Sequence, residues 1–525
     1  MGTCLSVSPR RASSIASCPQ DDSFLAIVRG TAPGALSGAR VMHHVTLWDE
    51  YSTAEPPEVL GTGFNGPVLK VHSKRRPELA YALKEIRKIP APGGDVYSLP
   101  THFEVKRIQR LHSSMLLNEL LIYLAVDHAN IGKIFEVYES PTSVFLVTEL
   151  CAGGELYALL RRCGKLNEIE AAYVVSQILR AINYLHNLGI AHGDIKLENF
   201  VFLKPITNSV FNNPLKLIDF GFSRQSGEKP EGVYGSPLYI SPETAVGKSS
   251  ISSDVWSVGV ITYMLLTDSA PFTGKSFKQV AADIESKNVE DLIDNILKLS
   301  QDGKAFIRSC LRKDPTQRVS AKDALGHNWI SSIAARHTRT KDEDVIKCLE
   351  LIIEFSRIGP LRRASLGLVS MHGPPSIAIP SSESIFNLID SNSDGYIQSW
   401  ELLAALTKYK EQAETDIEGL FAGIDVRGDG RINFSEFLAA TEVLAVVSSQ
   451  TIPLPPIYEA LIESVFKKLD VDNSGVISEM NLLTLFGLRG YQGAGAADLI
   501  KEGDFAGDGV ISLSEFFRLV TGNTS

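Results

Sequence analysis

The chain has little cysteine, no apolar run long enough to cross a bilayer, and no surplus of positive charge. Its six cysteines, Cys4, Cys18, Cys151, Cys163, Cys310 and Cys348, are scattered over 525 residues with no C-x-x-C pair. That spread argues against a disulfide framework or a zinc site and fits a reducing compartment. No apolar stretch approaches the roughly 18 residues of a membrane helix, and the N-terminus carries no hydrophobic signal core. With 51 Lys and Arg against 61 Asp and Glu the formal net charge is −10, so nucleic acid is not an expected partner, whereas clustered carboxylates can serve cations. What is present suffices for several cores, because 525 residues at 44% hydrophobic exceed one ordinary domain.

The densest chemical signal is IAHGDIKLENF, Ile190 to Phe200, followed by LIDFGFS, Leu217 to Ser223. Asp194, Lys196 and Asn199 take the spacing H-x-D-x-K-x-x-N, and Asp219, Phe220 and Gly221 form D-F-G. Phosphoryl transfer needs these residue types: a base that orients a hydroxyl, a cation beside the moving group, and amide and carboxylate oxygens that hold Mg²⁺. Asp194, Lys196, Asn199 and Asp219 fill those roles in turn. The stretch resembles the catalytic loop of eukaryotic protein kinases.

Upstream, LGTGFNGPV sets Gly61, Gly63, Gly66 and Val68 at G-x-G-x-x-G-x-V spacing, where missing side chains let backbone amides approach phosphates. The alternation of YALKEI predicts a strand carrying Lys84 inward, and the apolar helix expected over Leu116 to Leu124 offers Glu119 as its partner. The kinase resemblance implies a gatekeeper at Thr148 in FLVTE and a hinge from Glu149 to Cys151 against the adenine. It also implies that Glu155 of GGEL pairs with Glu198 to bind arginines upstream of the acceptor serine, since carboxylate and guanidinium pair bidentately. One departure stands out. The usual H-R-D is His192, Gly193 and Asp194, so the arginine that would receive an activation-loop phosphate is missing, and activity is expected not to depend on phosphorylation between Asp219 and Glu243. Further on, GSPLYISPE carries Ser241 in place of the usual alanine, DVWSVGV from Asp254 resembles a buried helix, and Arg318 is the expected ion-pair partner of Glu243.

The flanks carry other signals. MGTCLS fits myristoylation at Gly2 and palmitoylation at Cys4, ahead of a Ser-, Ala-, Gly- and Pro-rich arm read as disordered over residues 1–50. After Ile330, apolar residues at helical spacing from Val345 to Ile358 precede an interruption at Gly359 and Pro360. LRRASLG then places Ser365 in R-R-x-S, and PRRASS repeats the pattern at Ser13, so both serines are candidate phosphosites. The alternative, that Arg362 and Arg363 only solvate an amphipathic helix, stays open.

The last third holds four loops following D-x-[DN]-x-[DN]-G-x₅-E, starting at Asp390, Asp425, Asp470 and Asp504. All four keep the turn glycine at position 6 (Gly395, Gly430, Gly475, Gly509) and an isoleucine at position 8 (Ile397, Ile432, Ile477, Ile511), expected to pair within two EF-hand lobes. Calcium needs six to eight oxygens and a bidentate glutamate at position 12. Loop one supplies Asp390, Asn392, Asp394, the Tyr396 carbonyl and Glu401. Loop two offers Asp425, Asp429, the Arg431 carbonyl and Glu436, but puts Arg427 at position 3. A cation about 4 Å from a divalent ion costs on the order of 8 kcal/mol at an effective dielectric of about 20, so Arg427 must swing outward. Loop three has Asp470, Asp472, Ser474 and the Val476 carbonyl, with Asn481 at position 12. Loop four has Asp504, Asp508, the Val510 carbonyl and Glu515, with Ala506 at position 3. The expected order of affinity is one, four, three, two.

Kinase, amphipathic junction and two EF-hand lobes in that order resemble the calcium-dependent protein kinases of plants and protists. The resemblance implies a multidomain chain: a two-lobed α+β protein kinase fold over 51–330, a junction or autoinhibitory segment over 331–378, then an all-α calmodulin-like domain of two EF-hand pairs, 379–446 and 447–525. It implies ATP and Mg²⁺ as cofactors, Ca²⁺ as activator, and a junction helix that occludes the active site until calcium loads the lobes. Expected partners are protein substrates with basic residues upstream of Ser or Thr and, through acylation, the cytoplasmic face of a membrane; a monomer is expected. The rival class is a calcium-responsive membrane scaffold with a catalytically weak kinase-like lobe.

Overall fold

The computed structural model describes residues 46–63, 66–88, 116–207, 209–226, 235–296, 298–337, 340–373, 382–410, 416–449, 453–486 and 494–522. Gly2, Cys4 and Ser13 lie outside the described residues. Short β-branched and aromatic runs build the first lobe. Strands β1 (Tyr51–Ser52), β2 (Val59–Gly63), β3 (Gly66–Ser73), β4 (Ala80–Arg87), β5 (Ile134–Glu139) and β6 (Ser143–Thr148) form one antiparallel sheet, in the order β1-β3-β4-β6-β5 with β2 on β3. In β4, Ala82, Leu83 and Ile86 are buried, and Lys84 lies in register with Val68 on one side and Leu146 on the other. Helix α1 (116–125) crosses behind this sheet and brings Glu119 to Lys84.

The second lobe is helical. Its centre is α2 (Leu156–Cys163), α3 (Glu168–Asn187) and α4 (Ile251–Thr267). Asn167 starts α3, its side chain accepting from the amides of Ile169 and Glu170 while Glu170 reaches back, a reciprocal cap. Thirteen residues of α3 are buried, so this helix is the spine of the kinase core and not an amphipathic surface helix. The catalytic loop hangs from it between the short strands β7 (Ile190–Ala191) and β8 (Phe200–Phe202), the latter paired with β9 (Leu215–Leu217).

Beyond the kinase domain, α5 (Asp342–Arg357) and α6 (Pro360–His372) make up the junction. Proline occupies the first position of α6, where its missing N–H costs nothing, so the Gly359–Pro360 interruption starts a second helix instead of ending the first. Val345, Leu349, Ile352 and Phe355 of α5 and Leu361, Leu366 and Val369 of α6 share one buried cluster with Phe386, Phe437, Ile462, Leu499 and Phe516 of the EF-hand lobes. The EF-hand grooves therefore close on the junction's own apolar stripe. In this conformation the stripe is buried in the EF-hand core and does not lie over the active site. The junction meets the kinase domain behind the hinge, where Lys133 Nζ donates to the Ser370 carbonyl at 2.6 Å.

The EF-hand helices are α7 (Ser382–Ile389), α8 (Ser399–Lys410), α9 (Ile417–Ile424), α10 (Phe434–Leu438), α11 (Pro456–Leu469), α12 (Glu479–Phe486), α13 (Ala496–Gly503) and α14 (Leu513–Thr521). Ile397 and Ile432 exchange both backbone hydrogen bonds at 2.9 Å, and Val476–Ile477 pairs with Ile511–Ser512, which is the isoleucine pairing expected from the loop pattern.

Candidate active site and EF-hand sites

Lys84, Glu119 and Asp219 come from a strand, a helix and a loop, and the fold brings them within hydrogen-bond reach. Lys84 Nζ lies 2.7 Å from Glu119 Oε1 and 2.8 Å from Asp219 Oδ1. Burial alone would lower the Lys84 ammonium, but the two carboxylates outweigh it and hold it above the ordinary lysine range. Asp219 is the mirror case: burial pushes it up, and Lys84 pulls it below the usual carboxylate range. Its amide donates to the Tyr123 hydroxyl at 2.8 Å, while Phe220 is fully buried with its ring edge-on to Tyr123 at 4.7 Å. The D-F-G segment is therefore seated with its carboxylate toward the lysine.

The catalytic loop converges beside it. Asp194 Oδ2 accepts from Lys196 Nζ at 2.5 Å, and Asp194 Oδ1 accepts from the Ser236 hydroxyl at 3.0 Å. Asn199 Nδ2 donates to the Asp194 carbonyl at 2.8 Å, which leaves the amide oxygen of Asn199 for a cation. Asp254 of α4 sets the loop: its carboxylate accepts from the amides of His192 and Gly193 at 2.9 and 3.0 Å and pairs with His186. Gly193 has φ +79°, and a Cβ there would meet the Phe222 carbonyl oxygen at 2.8 Å, so the residue that replaces arginine also suits a turn that excludes side chains in this chain. Glu243 and Arg318 pair bidentately at 2.6 and 3.0 Å, as expected.

Around the cleft, Thr148 sits at the end of β6 with its hydroxyl 3.4 Å from the Ala82 carbonyl. The Glu149 carboxylate turns away, 3.4 Å from both Lys216 Nζ and the Lys133 amide, so any adenine contact of Glu149 falls to its main chain. The Cys151 thiol is pushed up, chiefly by burial. Gly61 lies on β2 and Val68 on β3, with Gly63 and Gly66 paired across the turn.

The EF-hand loops treat charge differently. In loop one, Asp390 accepts from the amides of Asp394 and Gly395 at 3.1 and 2.9 Å, and Glu401 from those of Asn392 and Gln398 at 3.1 and 2.9 Å. Burial first, and then the Asp394 and Glu401 carboxylates, push Asp390 up to about 8. Carboxylates that raise one another in this way fit a divalent ion. Among the described residues no three His, Cys, Asp or Glu side chains stand converged as a ready metal cage. In loop three Asn481 takes the position-12 capping role, accepting from the Ser478 amide at 2.8 Å, but has one oxygen to offer. In loop four Glu515 accepts from the amides of Ala506 and Ser512. In loop two Arg427 points out of the loop, as expected, and reaches Asp127 of the kinase domain at 3.4 Å.

Comparison with known proteins follows the same division. A family model described as protein kinase domain matches residues 55–330, EF-hand domain pairs match 382–442 and 496–523, and an EF hand matches 462–484. Calcium-dependent protein kinase 11 of Oryza sativa subsp. japonica is 30% identical over 405 residues, 77% of this chain and 67% of the relative. Calcium-dependent protein kinase 5 of Plasmodium falciparum (isolate 3D7) is 28% identical over 472 residues, 88% of this chain and 77% of the relative. The chain belongs to the calcium-dependent protein kinases. Calcium-dependent protein kinase 4 of Plasmodium berghei (strain Anka), 29% identical over 478 residues, spans 87% of this chain and 84% of its own.

As a calcium-dependent protein kinase it is a calcium-regulated serine/threonine kinase, and the non-catalytic scaffold is not supported. Two further readings change. Ser365 is fully buried in α6 and donates to the Leu361 carbonyl at 2.8 Å, so it is closed to phosphorylation in this conformation. The arginines before it are structural: Arg362 donates to the Val520 carbonyl and Ser448 hydroxyl, and Arg363 to the Ser356 carbonyl. The R-R-x-S pattern is met by helix packing. Sequence reasoning missed Tyr123, Ser236 and Asp254 as positioning groups, although all three lie in stretches it had singled out, the Leu116 to Leu124 helix, GSPLYISPE and DVWSVGV.

Proposed function

We propose that this kinase prefers serine or threonine preceded by arginine. Supporting this is the acidic pair at the mouth of the cleft: burial, and then Glu198, raise Glu155 above the ordinary carboxylate range, and Lys196 offsets only part of it. A substrate guanidinium relieves that repulsion. Tyr239, whose hydroxyl lies 3.3 Å from Glu198 Oε2, keeps the second carboxylate in place. Asp194 orients the acceptor hydroxyl and takes its proton, Lys196 neutralises charge on the transferred group, and Lys84, fixed by Glu119, grips the nucleotide phosphates. The free oxygen of Asn199 and the Asp219 carboxylate are the groups that would hold Mg²⁺, which supplies charge neutralisation between phosphates.

Of the calcium loops, loop one is the tightest in this reading, followed by four, three and two, and calorimetry returning four equal sites overturns that order. Acylation at Gly2 and Cys4 would place the enzyme peripherally on a cytoplasmic membrane face; metabolic labelling with a myristate analogue tests it. Autophosphorylation is expected at Ser13 over Ser365. The substrate reading is tested by peptide kinetics with and without EGTA. Calcium-dependent turnover with no preference for upstream arginine refutes the specificity and leaves the kinase assignment standing.

A further inference from the structure

The seam between the kinase domain and the first EF-hand pair is polar and buried. Asp127, 8% exposed, follows α1, and its carboxylate accepts from the Ser435 hydroxyl of α10 at 2.9 Å and pairs with Arg427 at 3.4 Å. Loop one contributes Ser393, whose carbonyl accepts from Asn183 Nδ2 at 2.6 Å, and Gly395, where a Cβ would meet the Tyr184 ring at 2.4 Å. Glu383 of α7 accepts from Asn130 Nδ2 at 2.9 Å. Loop two therefore faces the kinase through the very residue that spoils its calcium chemistry.

The acidic ends of loop two are held by its own amides, as those of the other loops are. Asp425 accepts from the amides of Gly428, Asp429 and Gly430 at 2.7, 3.2 and 2.7 Å, and Glu436 from those of Arg427 and Asn433, both at 2.9 Å. Arg431 lies over the Tyr396 ring at 4.4 Å, so the second arginine of the loop braces the same edge. The Arg427 side chain is 25% exposed and that of Asp127 7%, a pair shielded enough that removing one partner strands the other charge.

We propose that the second EF-hand loop has exchanged calcium for the kinase domain: it is an intramolecular docking clasp, in which Arg427 at the third loop position binds Asp127, with Ser435 completing the contact. The clasp concerns the seam alone and does not rest on the substrate reading above. Calcium at the other loops acts on a lobe already seated by loop two, and a calcium-ligating residue at position 427 would gain an ion and lose the seat.

The test uses the full-length chain and two readouts that do not involve phosphoryl transfer. Hydrogen exchange at the Asp127–Ile131 amides, in whichever of EGTA or saturating calcium protects them in the parent protein, reads docking; calorimetric calcium titration reads loop occupancy. Asp127→Asn and Arg427→Gln are each expected to lower the docked-to-undocked ratio on the order of tenfold, and the double variant no further than either single one. Arg427→Asp is expected to do the same and to add one calcium ion to the stoichiometry. Retained calcium binding by the remaining loops separates undocking from unfolding, and Arg427→Lys is expected to keep part of the protection. Unprotected amides in the parent under both conditions, additive effects of the two single substitutions, or loss of a calcium ion from the parent stoichiometry on Asp425→Ala would each overturn the proposal.

Discussion

The catalytic cleft and the first EF-hand loop both gather carboxylates, and they manage the charge in opposite ways. In the cleft Lys84 stands between Glu119 and Asp219, and Asp219 is held below its ordinary range. In loop one burial and then the Asp394 and Glu401 carboxylates push Asp390 up to about 8. The first site is preassembled around a fixed charge, as a catalyst that must not reorganise requires. The second sets Asp390 beside other carboxylates that raise it, as a sensor whose occupancy must change requires. Loop two is a third solution, in which the cation is present but spent on another domain.

Removing the fixed cation tests the first half of this comparison most severely. Lys84→Met is expected to lower kcat/KM by about 10³-fold, in proportion to the loss of a preorganised charge at the phosphates. Calcium binding measured by calorimetry should stay unchanged, and a parallel loss of calcium sites would break the independence of the two regions. On the sensor side, Glu401→Gln is expected to weaken calcium binding at loop one by about 100-fold, since loss of a direct ligand costs no less than loss of the groups behind it. An unaltered first binding step in that variant would move the sensor to another loop.

The seam between the regions responds to pH through His128, which stacks on Tyr184 at 5.0 Å. Burial first, then Lys216 and Arg180, with only Asp127 opposing, depress its imidazole to about 3. A folded pKa below the unfolded value of about 6.5 means that the unfolded chain binds the extra proton, so this stabilisation is fully present above about pH 6.5 and is lost as pH falls toward 3. At pH 5 the loss is about 2 kcal/mol. Chemical denaturation of the parent and of His128→Asn at pH 7 and pH 5 measures it, and an equal pH response in both removes His128 from the account. The smallest expected effect is at the cleft's mouth, where Glu155→Gln should cut the preference for upstream arginine by about tenfold, read as a ratio of kcat/KM for paired peptides.

Much of the site was legible because its residues are constrained in local spacing. Asp194, Lys196 and Asn199 lie within one short loop, and the D-F-G follows after one hairpin. The EF-hand turns were legible for the same reason, since position 6 needs a positive φ and Gly395, Gly430, Gly475 and Gly509 all have it. The junction's helical pattern was legible, but periodicity reports only that a stripe must be buried and is silent about which surface buries it in this conformation. Ser365 misled for a related reason: an arginine pair ahead of a serine looks the same whether it faces a kinase cleft or the Val520 carbonyl.

From the sequence alone came the kind of chemistry, the order of the domains and the defect at Arg427, because each rests on residues close together along the chain. The tertiary structure decided where the junction's apolar stripe is buried, that Asp254 and Tyr123 set the catalytic loop and the D-F-G segment, and that Arg427 faces Asp127, 300 positions away. Contacts at such separations depend on how whole domains close on one another, and local spacing carries no record of that.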